Sequence, residues 1–160
     1  MTQKTFMMLK PDAFASGHAQ EVLDYLENAG LHISASKKVE VTMDVMKTLL
    51  EHYKEVIDAM GKDFNFPGKL FNSFYYEGPH YIMPMEICYD QEDDIITYSR
   101  TLVGKTNPEA ADPKTIRGLY SDDNYDKAGA AVRLVNNVIH ASDSHESAQR
   151  ELAIWESYFK

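Results

Sequence analysis

Hydrophobic and polar positions along the chain predict a series of short strands, each followed by a helix. The apolar run at residues 5–9 predicts a buried strand, because it is short and ends at Lys10-Pro11-Asp12. Apolar side chains recur at helical spacing over residues 18–29, and Gly30 follows as a typical residue after a helix end. Residues 31–41 alternate loosely and predict a second strand, after which Thr42 can cap a second helix.

The middle of the chain is rich in aromatic residues. Phenylalanines and tyrosines crowd into residues 58–80 with Pro and Gly, which favours helical turns that contribute both to the core and to an aromatic surface wall. Residues 81–89 predict a third strand, in which Pro84 implies a sheet edge, a bulge or a local break. Residues 93–103 predict a helix that ends at Gly104.

The next segment is irregular. Residues 105–117 carry two Xaa-Pro pairs and no periodicity, so they predict a long loop, and long ordered loops are usually functional. Residues 119–130 are acidic and contain tyrosine, which is typical of a surface insertion. Residues 134–139 then form an apolar run that predicts a fourth strand, ended by His140.

His140 precedes a cluster of residues that start helices. Asp143, with Glu146 three positions later, fits a capping box for a last helix over residues 144–155. His140 is therefore expected at a strand-to-helix turn, beside helix N-terminal amides that favour an anion such as phosphate. The alternative is a structural histidine whose hydrogen bonds are satisfied within a loop.

The order of these elements is β-α-β-α-β-α-β-α. In one compact domain over residues 1–160 this order predicts an α+β fold, a ferredoxin-like sandwich with a four-stranded antiparallel sheet and flanking helices on one face. A doubly wound parallel sheet is the competing fold. It usually has a glycine-rich first turn, and Lys10-Pro11-Asp12 contains no glycine.

Charge and composition exclude several function classes. A net charge of −9 argues against nucleic acid as the main partner, although it leaves nucleotide binding open. The single cysteine, Cys88, excludes a disulfide framework and a cysteine-rich zinc site. No stretch has the length of a membrane helix and residues 1–9 do not form a signal peptide, so a cytoplasmic location is expected.

Several motifs together resemble those of the nucleoside diphosphate kinase family. The resemblance covers nearly the whole chain, and its pieces occur in order and at near-family spacing: Thr5 to Asp12, Glu51-His52-Tyr53, Gly78-Pro79, Arg100, Gly104 to Pro108, Thr115 to Gly118, Asn137 to Ser144, and Glu146-Ser147-Ala148 with Glu151 and Trp155. What it implies is a nucleoside diphosphate kinase that works by double displacement. A nucleoside triphosphate would give its γ-phosphate to His140, and the phosphohistidine would then give it to a nucleoside diphosphate.

The resemblance also implies roles around His140. Glu151 would orient the imidazole through its second nitrogen, and Ser142 would be linked to that carboxylate. Tyr53 would lie beside Lys10 near the transferred phosphate, although its helical spacing fits a packing role nearly as well. The phosphate ligands would be Lys10, Arg100, Thr106 and Arg117.

The nucleoside and metal ends of the implied site are less defined. Asn137, with Lys10, would bind the ribose hydroxyls. An aromatic platform would stack on the base, for which Phe64 or Phe66 is the candidate, and Phe71 could form part of the same wall. Asp143 would help to position Mg²⁺ carried by the nucleotide, since the family's metal bridges phosphates and has few protein ligands.

Other features remain outside this set. The remaining histidines are expected to be structural or at the surface: His18, His32, His52, His80 and His145. Segments 58–70 and 119–135 are longer than in short family members, and the first lies near the expected nucleotide entrance.

The family implies a homo-oligomer, with a hexamer favoured over a tetramer. A regulatory protein without turnover and a nucleic-acid-binding module are the alternative functions.

Overall fold

The computed structural model describes residues 2–159, which form one antiparallel sheet with helices packed against it. The strands are β1 Gln3–Leu9, β2 His32–Ser36, β3 Val39–Glu40, β4 Tyr81–Tyr89 and β5 Ile139–Ala141. The helices are α1 Pro11–Ala15, α2 Ala19–Asn28, α3 Met43–His52, α4 Lys54–Met60, α5 Phe66–Phe74, α6 Ile95–Val103, α7 Ile116–Tyr120, α8 Tyr125–Ala130 and α9 His145–Trp155. Short 3-10 helices lie at Pro108–Ala110 and Glu156–Phe159.

The strand order across the sheet is β2-β4-β1-β5, and every pair is antiparallel. β3 continues beside β4 after β2 ends. The register between the central and edge strands brings Met8 of β1 opposite His140 of β5. This arrangement confirms the predicted α+β sandwich with an antiparallel sheet and flanking helices.

Both faces of the sheet are covered, rather than one as the sequence suggested. Met7 and Leu9 of β1 belong to one buried cluster with side chains of α2 and α6, whereas Phe6 and Met8 belong to another with side chains of α3 and α5. Successive side chains of a strand point to opposite faces. A strand buried on both faces has a continuous apolar sequence, which explains the uninterrupted run in β1.

Pro84 does not lie on an edge strand, because β4 pairs with β1 on one side and with β2 on the other. Its carbonyl accepts a hydrogen bond from the Lys37 N–H at 3.3 Å. In an antiparallel pair the backbone nitrogen and carbonyl of one residue point towards the same adjacent strand. The nitrogen of Pro84 therefore points, like its carbonyl, towards the gap between β2 and β3. The predicted local break is present, but it lies in the neighbouring strand, where the single predicted strand 31–41 divides.

Two further boundaries differ from the prediction. Residues 134–138 are irregular, and β5 begins only at Ile139, so His140 lies within the strand instead of ending it. The cap of α9 is Ser144, whose hydroxyl accepts from the Ser147 N–H at 3.0 Å, so the predicted capping box of Asp143 and Glu146 is wrong. Ser, like Asp, can accept from the helix amides, and the sequence offers both in adjacent positions.

The acidic segment 119–130 is not only a surface insertion. It contains α7's last turn and α8, which begins after the capping residue Asn124 and buries Ala128. Asp123 is only 5% exposed and pairs with Arg133 at 2.5 Å. The predicted long loop likewise contains a 3-10 turn and ends where α7 begins at Ile116. No helix within residues 2–159 is long and apolar enough to cross a membrane.

Candidate active site

A cavity of about 580 Å³ opens between the end of β1, the end of α3 and strand β5. Nearly every residue predicted for the site lines this cavity; Ser142 and Phe71 are the exceptions. The predicted residues that line the cavity are Lys10, Tyr53, Phe64, Phe66, Arg100, Thr106, Arg117, Asn137, His140, Asp143 and Glu151.

His140 is held by a chain of hydrogen bonds from β5 to α9. Its Nε2 lies 2.7 Å from Oε1 of Glu151, and the Ser142 hydroxyl donates to the same oxygen at 2.8 Å. Ser142 also lies 3.2 Å from the carbonyl of Phe6. Glu151 is buried, so this contact orients the imidazole firmly. When the carboxylate accepts from Nε2–H, the lone pair of the neutral ring lies on Nδ1, which bonds to no residue that the structure describes.

The backbone just before His140 has an unusual conformation. Val138 has φ +61°, a left-handed value that is rare for a β-branched residue and costs about 1–3 kcal/mol. Several hydrogen bonds hold it: Ile139 N–H donates to the Asn137 carbonyl at 2.8 Å, and Val138 N–H donates to Asp12 Oδ2 at 2.9 Å. The tight turn aims the side chains of Asn137 and His140 into the same cavity.

Lys10 is a buried ammonium at the end of β1. Its Nζ donates to the carbonyl of Val135 at 3.0 Å and to Oδ1 of Asn137 at 2.8 Å. Burial lowers the pKa of Lys10 to about 8, and the nearby Asp12 carboxylate opposes this shift. Asn137 is also fixed, because its Nδ2 donates to the Thr106 carbonyl at 2.9 Å.

Two arginines bring further positive charge to the cavity. Arg117 is buried and donates to the carbonyls of Ile139 at 2.7 Å and Gly104 at 3.1 Å, while its Nε is buried with no partner within residues 2–159. Burial, and then the charge of Arg100, lower the pKa of Arg117 to about 10. Arg100 itself is exposed on α6. The mutual repulsion of these two cations favours the binding of an anion near them.

Aromatic rings extend from His140 towards the cavity mouth. The ring centroids of Tyr53 and His140 are 5.9 Å apart, those of Tyr53 and Phe66 5.3 Å, and those of Phe66 and Phe64 6.2 Å. Phe66 is buried and Phe64 is half-buried, so Phe64 is the ring better placed to meet a ligand. Phe71 instead packs against Tyr75 and Tyr76, so the expectation that it joins this wall is wrong.

His52 lines the site although it was expected only to be structural or at the surface. It is 3% exposed, and its ring lies 4.6 Å from that of His140 at 77°. Trp155 Nε1 donates to its Nδ1 at 3.0 Å. Since indole can only donate, His52 must carry its own proton on Nε2 when neutral. Burial, followed by the charges of His140 and Arg150, lowers the pKa of His52 well below its usual value, and its Nε2 has no partner among the described residues.

Further unpredicted residues come from the two long segments. Lys69 of α5 and Arg133, which follows α8, both line the cavity. Arg133 is tied to Asp123, and Asp123 also accepts from the Asn136 N–H at 2.7 Å. Their distance in sequence from any recognisable motif explains why no pattern identified them.

The side chains offer few ligands for a tightly bound metal ion. In residues 2–159 the only His, Cys, Asp and Glu group with suitable spacing is His52, His140 and Glu151. Its members are engaged with Trp155 or with one another, and a metal on His52 Nε2 would place the proton of that ring against the Trp155 N–H. Asp143, by contrast, is an exposed carboxylate at the cavity wall. One carboxylate suits a Mg²⁺ that keeps most of its ligands from water and phosphates.

Taken together, the antiparallel sandwich and an anion-binding cavity around an oriented histidine define a phosphate-handling α+β enzyme. A profile of the family described as nucleoside diphosphate kinase matches residues 3–159. The chain therefore belongs to the nucleoside diphosphate kinase family. This membership confirms the predicted phosphotransferase activity of a nucleoside diphosphate kinase.

Individual relatives agree with this assignment. A nucleoside diphosphate kinase of Methanosphaera stadtmanae is 39% identical over 97% of this chain and 86% of its own length. One of Saccharolobus solfataricus is 34% identical over 97% of this chain and 95% of its own.

Solved structures are similar as well. The transition-state mimic of nucleoside-diphosphate kinase from Borrelia burgdorferi, with bound vanadate and ADP, has a TM-score of 0.82 at 26% identity, covering 96% of this chain and 86% of that one. An NDP kinase from Pyrobaculum aerophilum has a TM-score of 0.75 at 29% identity and covers 99% of both chains.

Proposed function

We propose that this chain transfers the γ-phosphate of a nucleoside triphosphate to a nucleoside diphosphate through a phosphohistidine at His140. The observation that carries the proposal is the contact of Nε2 with the buried Glu151 at 2.7 Å. It leaves the lone pair of Nδ1 for attack on the γ-phosphorus. As the N–P bond forms, the bond from that phosphorus to the β-phosphate oxygen breaks, and the nucleoside diphosphate leaves.

The second half of the reaction reverses the first. A β-phosphate oxygen of another nucleoside diphosphate attacks the phosphorus, and the bond to Nδ1 breaks. Glu151 stabilises the imidazole in both halves, because it accepts the proton on Nε2 while the other nitrogen carries the phosphoryl group. Ser142 supports this carboxylate through the hydrogen bond at 2.8 Å.

The cations of the cavity balance the charge of the phosphates. Lys10, Arg100 and Arg117 supply positive charge, and Thr106 supplies a hydroxyl from the loop after α6. Phosphoryl transfer depends mainly on such positioning and charge stabilisation. The hydroxyl of Tyr53 is kept protonated near the phosphate, because burial and the Glu151 charge raise its pKa.

The nucleoside binds between the aromatic wall and Asn137. Phe64 stacks on the base, and stacking accepts every base because each has a π-face. Lys10 and Asn137, which already bond to each other at 2.8 Å, bind the ribose hydroxyls. Asp143 is the carboxylate that would help to hold a nucleotide-bound Mg²⁺, and the ion would shield the charge of the phosphate oxygens and increase the electrophilicity of phosphorus.

The wider assignments follow the family. The chain works as a single domain over residues 1–160, in the cytoplasm, and as a homo-oligomer for which a hexamer is favoured. β2 is an edge strand with no strand on its outer side within residues 2–159, so a second copy could pair with this edge, although the Ile33 N–H already donates to Glu27 Oε1 at 3.1 Å. Light scattering of the purified protein should give several times the chain mass of 18.2 kDa, whereas a mass of 18.2 kDa would reject the oligomer.

The test of the function is transient labelling. The protein is incubated with Mg²⁺ and γ-labelled ATP and freed of nucleotide, and we expect an acid-labile, base-stable label that leaves on addition of GDP. The label should be absent from His140→Ala and present in His32→Ala, a control that removes an exposed histidine of β2. Label that persists in His140→Ala would place the nucleophile elsewhere. Absence of label with intact nucleotide binding would favour a regulatory protein.

A further inference from the structure

The ammonium of Lys69 lies over the aromatic ring on which the base is proposed to stack. Its Nζ lies over the ring of Phe64, 3.7 Å from the centroid. Asn65, with φ +55°, caps α5 by accepting from the Gly68 N–H at 3.2 Å, and this turn folds Phe64 back against the helix that carries Lys69. The ammonium makes no hydrogen bond or ion pair with any of residues 2–159. It is therefore a half-buried cation that lacks an acceptor.

The position of Lys69 relative to His140 indicates which part of a nucleotide it meets. Three successive ring contacts lead from His140 through Tyr53 and Phe66 to Phe64, and Lys69 lies beyond the last of them. The phosphates belong at the His140 end of this row. The opposite end, at the cavity mouth, is where the base belongs.

We propose that Lys69 selects nucleotides by the exocyclic group of the base, favouring keto bases (guanine, hypoxanthine, uracil, thymine) over amino bases (adenine, cytosine). This inference rests on the proposed function and deepens it. A base that stacks on Phe64 takes the ring surface over which the ammonium now lies. The ammonium then moves on its flexible stem to the edge of the stack.

The chemistry at that edge discriminates between bases. An ammonium has three donors and no acceptor, so it forms a hydrogen bond with the O6 of guanine or the O4 of uracil. Adenine and cytosine present an NH₂ group at the same position, which is itself a donor. With an amino base the displaced ammonium loses its contact with Phe64 and gains nothing at the exocyclic group. Stacking thus accepts every base, and Lys69 adds a preference.

Two substrate pairs isolate this group. Inosine and adenosine diphosphates differ at position 6, and uridine and cytidine diphosphates at position 4. Single-turnover discharge of the labelled phosphoenzyme gives the second-order rate constant for each. We expect each keto acceptor to react about fivefold faster than its amino partner, which is equivalent to about 1 kcal/mol. In Lys69→Met, which keeps most of the length of the side chain and removes the ammonium, both ratios should fall to about one.

Matched variants make the result decisive. Lys69→Arg keeps the donors and should keep both ratios, whereas Lys69→Glu replaces them with acceptors and should reverse the preference. Lys62→Met removes the same charge from an exposed position of the same segment, outside the cavity, and should change nothing. Equal loss for all four acceptors in Lys69→Met, or ratios near one in the wild type, would reject the inference. A phosphoenzyme that never forms would reject the proposed function instead.

Discussion

Lys10 combines a buried charge with a pKa of about 8, and this gives nucleotide binding a defined pH dependence. Below that pH the side chain is charged and can bind phosphate; above it the group becomes neutral. Affinity for Mg-ADP should therefore be constant from pH 6.5 to about 7.5. It should fall by up to about tenfold for each pH unit above 8. Calorimetric titration across this range measures the effect.

Lys10→Met is the informative variant for that prediction. It should bind Mg-ADP weakly, with little pH dependence between pH 7 and 9, whereas Lys62→Met should retain the wild-type profile. A wild-type affinity that stays constant up to pH 9.5 would show that the charge of Lys10 is not used in binding.

His52 should remain neutral, with its proton on Nε2, at pH values where an ordinary histidine is charged. Burial lowers its pKa well below the usual value, and the Trp155 N–H occupies Nδ1. Nitrogen-15 NMR of the imidazole at pH 6 should show the Nε2–H tautomer. Trp155→Phe removes the indole donor and should allow the other tautomer to appear. A charged His52 at pH 6 in the wild-type protein would contradict the assignment.

At the scale of elements, the segment after α8 contains a strained backbone conformation that one substitution can relieve. Val132 has φ +53° and is 49% exposed, so its side chain has an unfavourable backbone and little compensating burial. Asn tolerates this conformation much better. Val132→Asn should raise the free energy of unfolding by about 1 kcal/mol. Ala131→Asn, at a neighbouring right-handed residue, is the control and should give no gain in thermal or urea unfolding.

The ion pair of Asp123 and Arg133 joins the two segments that flank α8. Asp123 also accepts the Asn136 N–H, next to the residue that holds Lys10. Asp123→Asn leaves a half-buried guanidinium without its counter-charge, which should lower stability by about 2–3 kcal/mol in urea unfolding. The exposed Asp126→Asn in α8 should have no such effect. Equal stability of both variants would mean that the ion pair does not hold this segment.

The sequence predicted elements well where local periodicity and packing agree. The helix after Thr42 and the helix ending at Gly104 both appear with the expected caps or ends. β5 was misplaced because the apolar residues before it are apolar for another reason: Leu134 and Val135 line the cavity, and Val138 is buried at the strained turn. The position of Pro84 was misinterpreted in a similar way, because the effect of a proline on a sheet depends on which adjacent strand its nitrogen faces.

At the scale of the whole molecule, the site residues that the sequence can predict are those that lie in the family motifs. His140, Glu151 and Lys10 were identified because the family motifs surround them. His52 also lies in one of those motifs, but it was expected only to be structural or at the surface, because its place beside His140 depends on packing against Trp155, more than a hundred residues later in the chain. Lys69 and Arg133 come from segments of unusual length, for which no motif exists. Long-range packing, rather than local pattern, brings these side chains to the cavity.

Bound nucleotide should also stabilise the whole molecule, because its phosphates contact cations that the fold itself does not require. The guanidinium of Arg100 is exposed and has no hydrogen bond or ion pair with any of residues 2–159, so Arg100→Met should not lower the Tm of the ligand-free protein. Mg-ADP at a hundred times its Kd should stabilise the wild type by about 2.7 kcal/mol and raise its Tm by about 5–10 °C. At the same concentration Arg100→Met should show a clearly smaller rise in differential scanning calorimetry. An equal rise in both proteins would place the phosphates away from Arg100, and a lower ligand-free Tm of the variant would give this arginine a role in the fold itself.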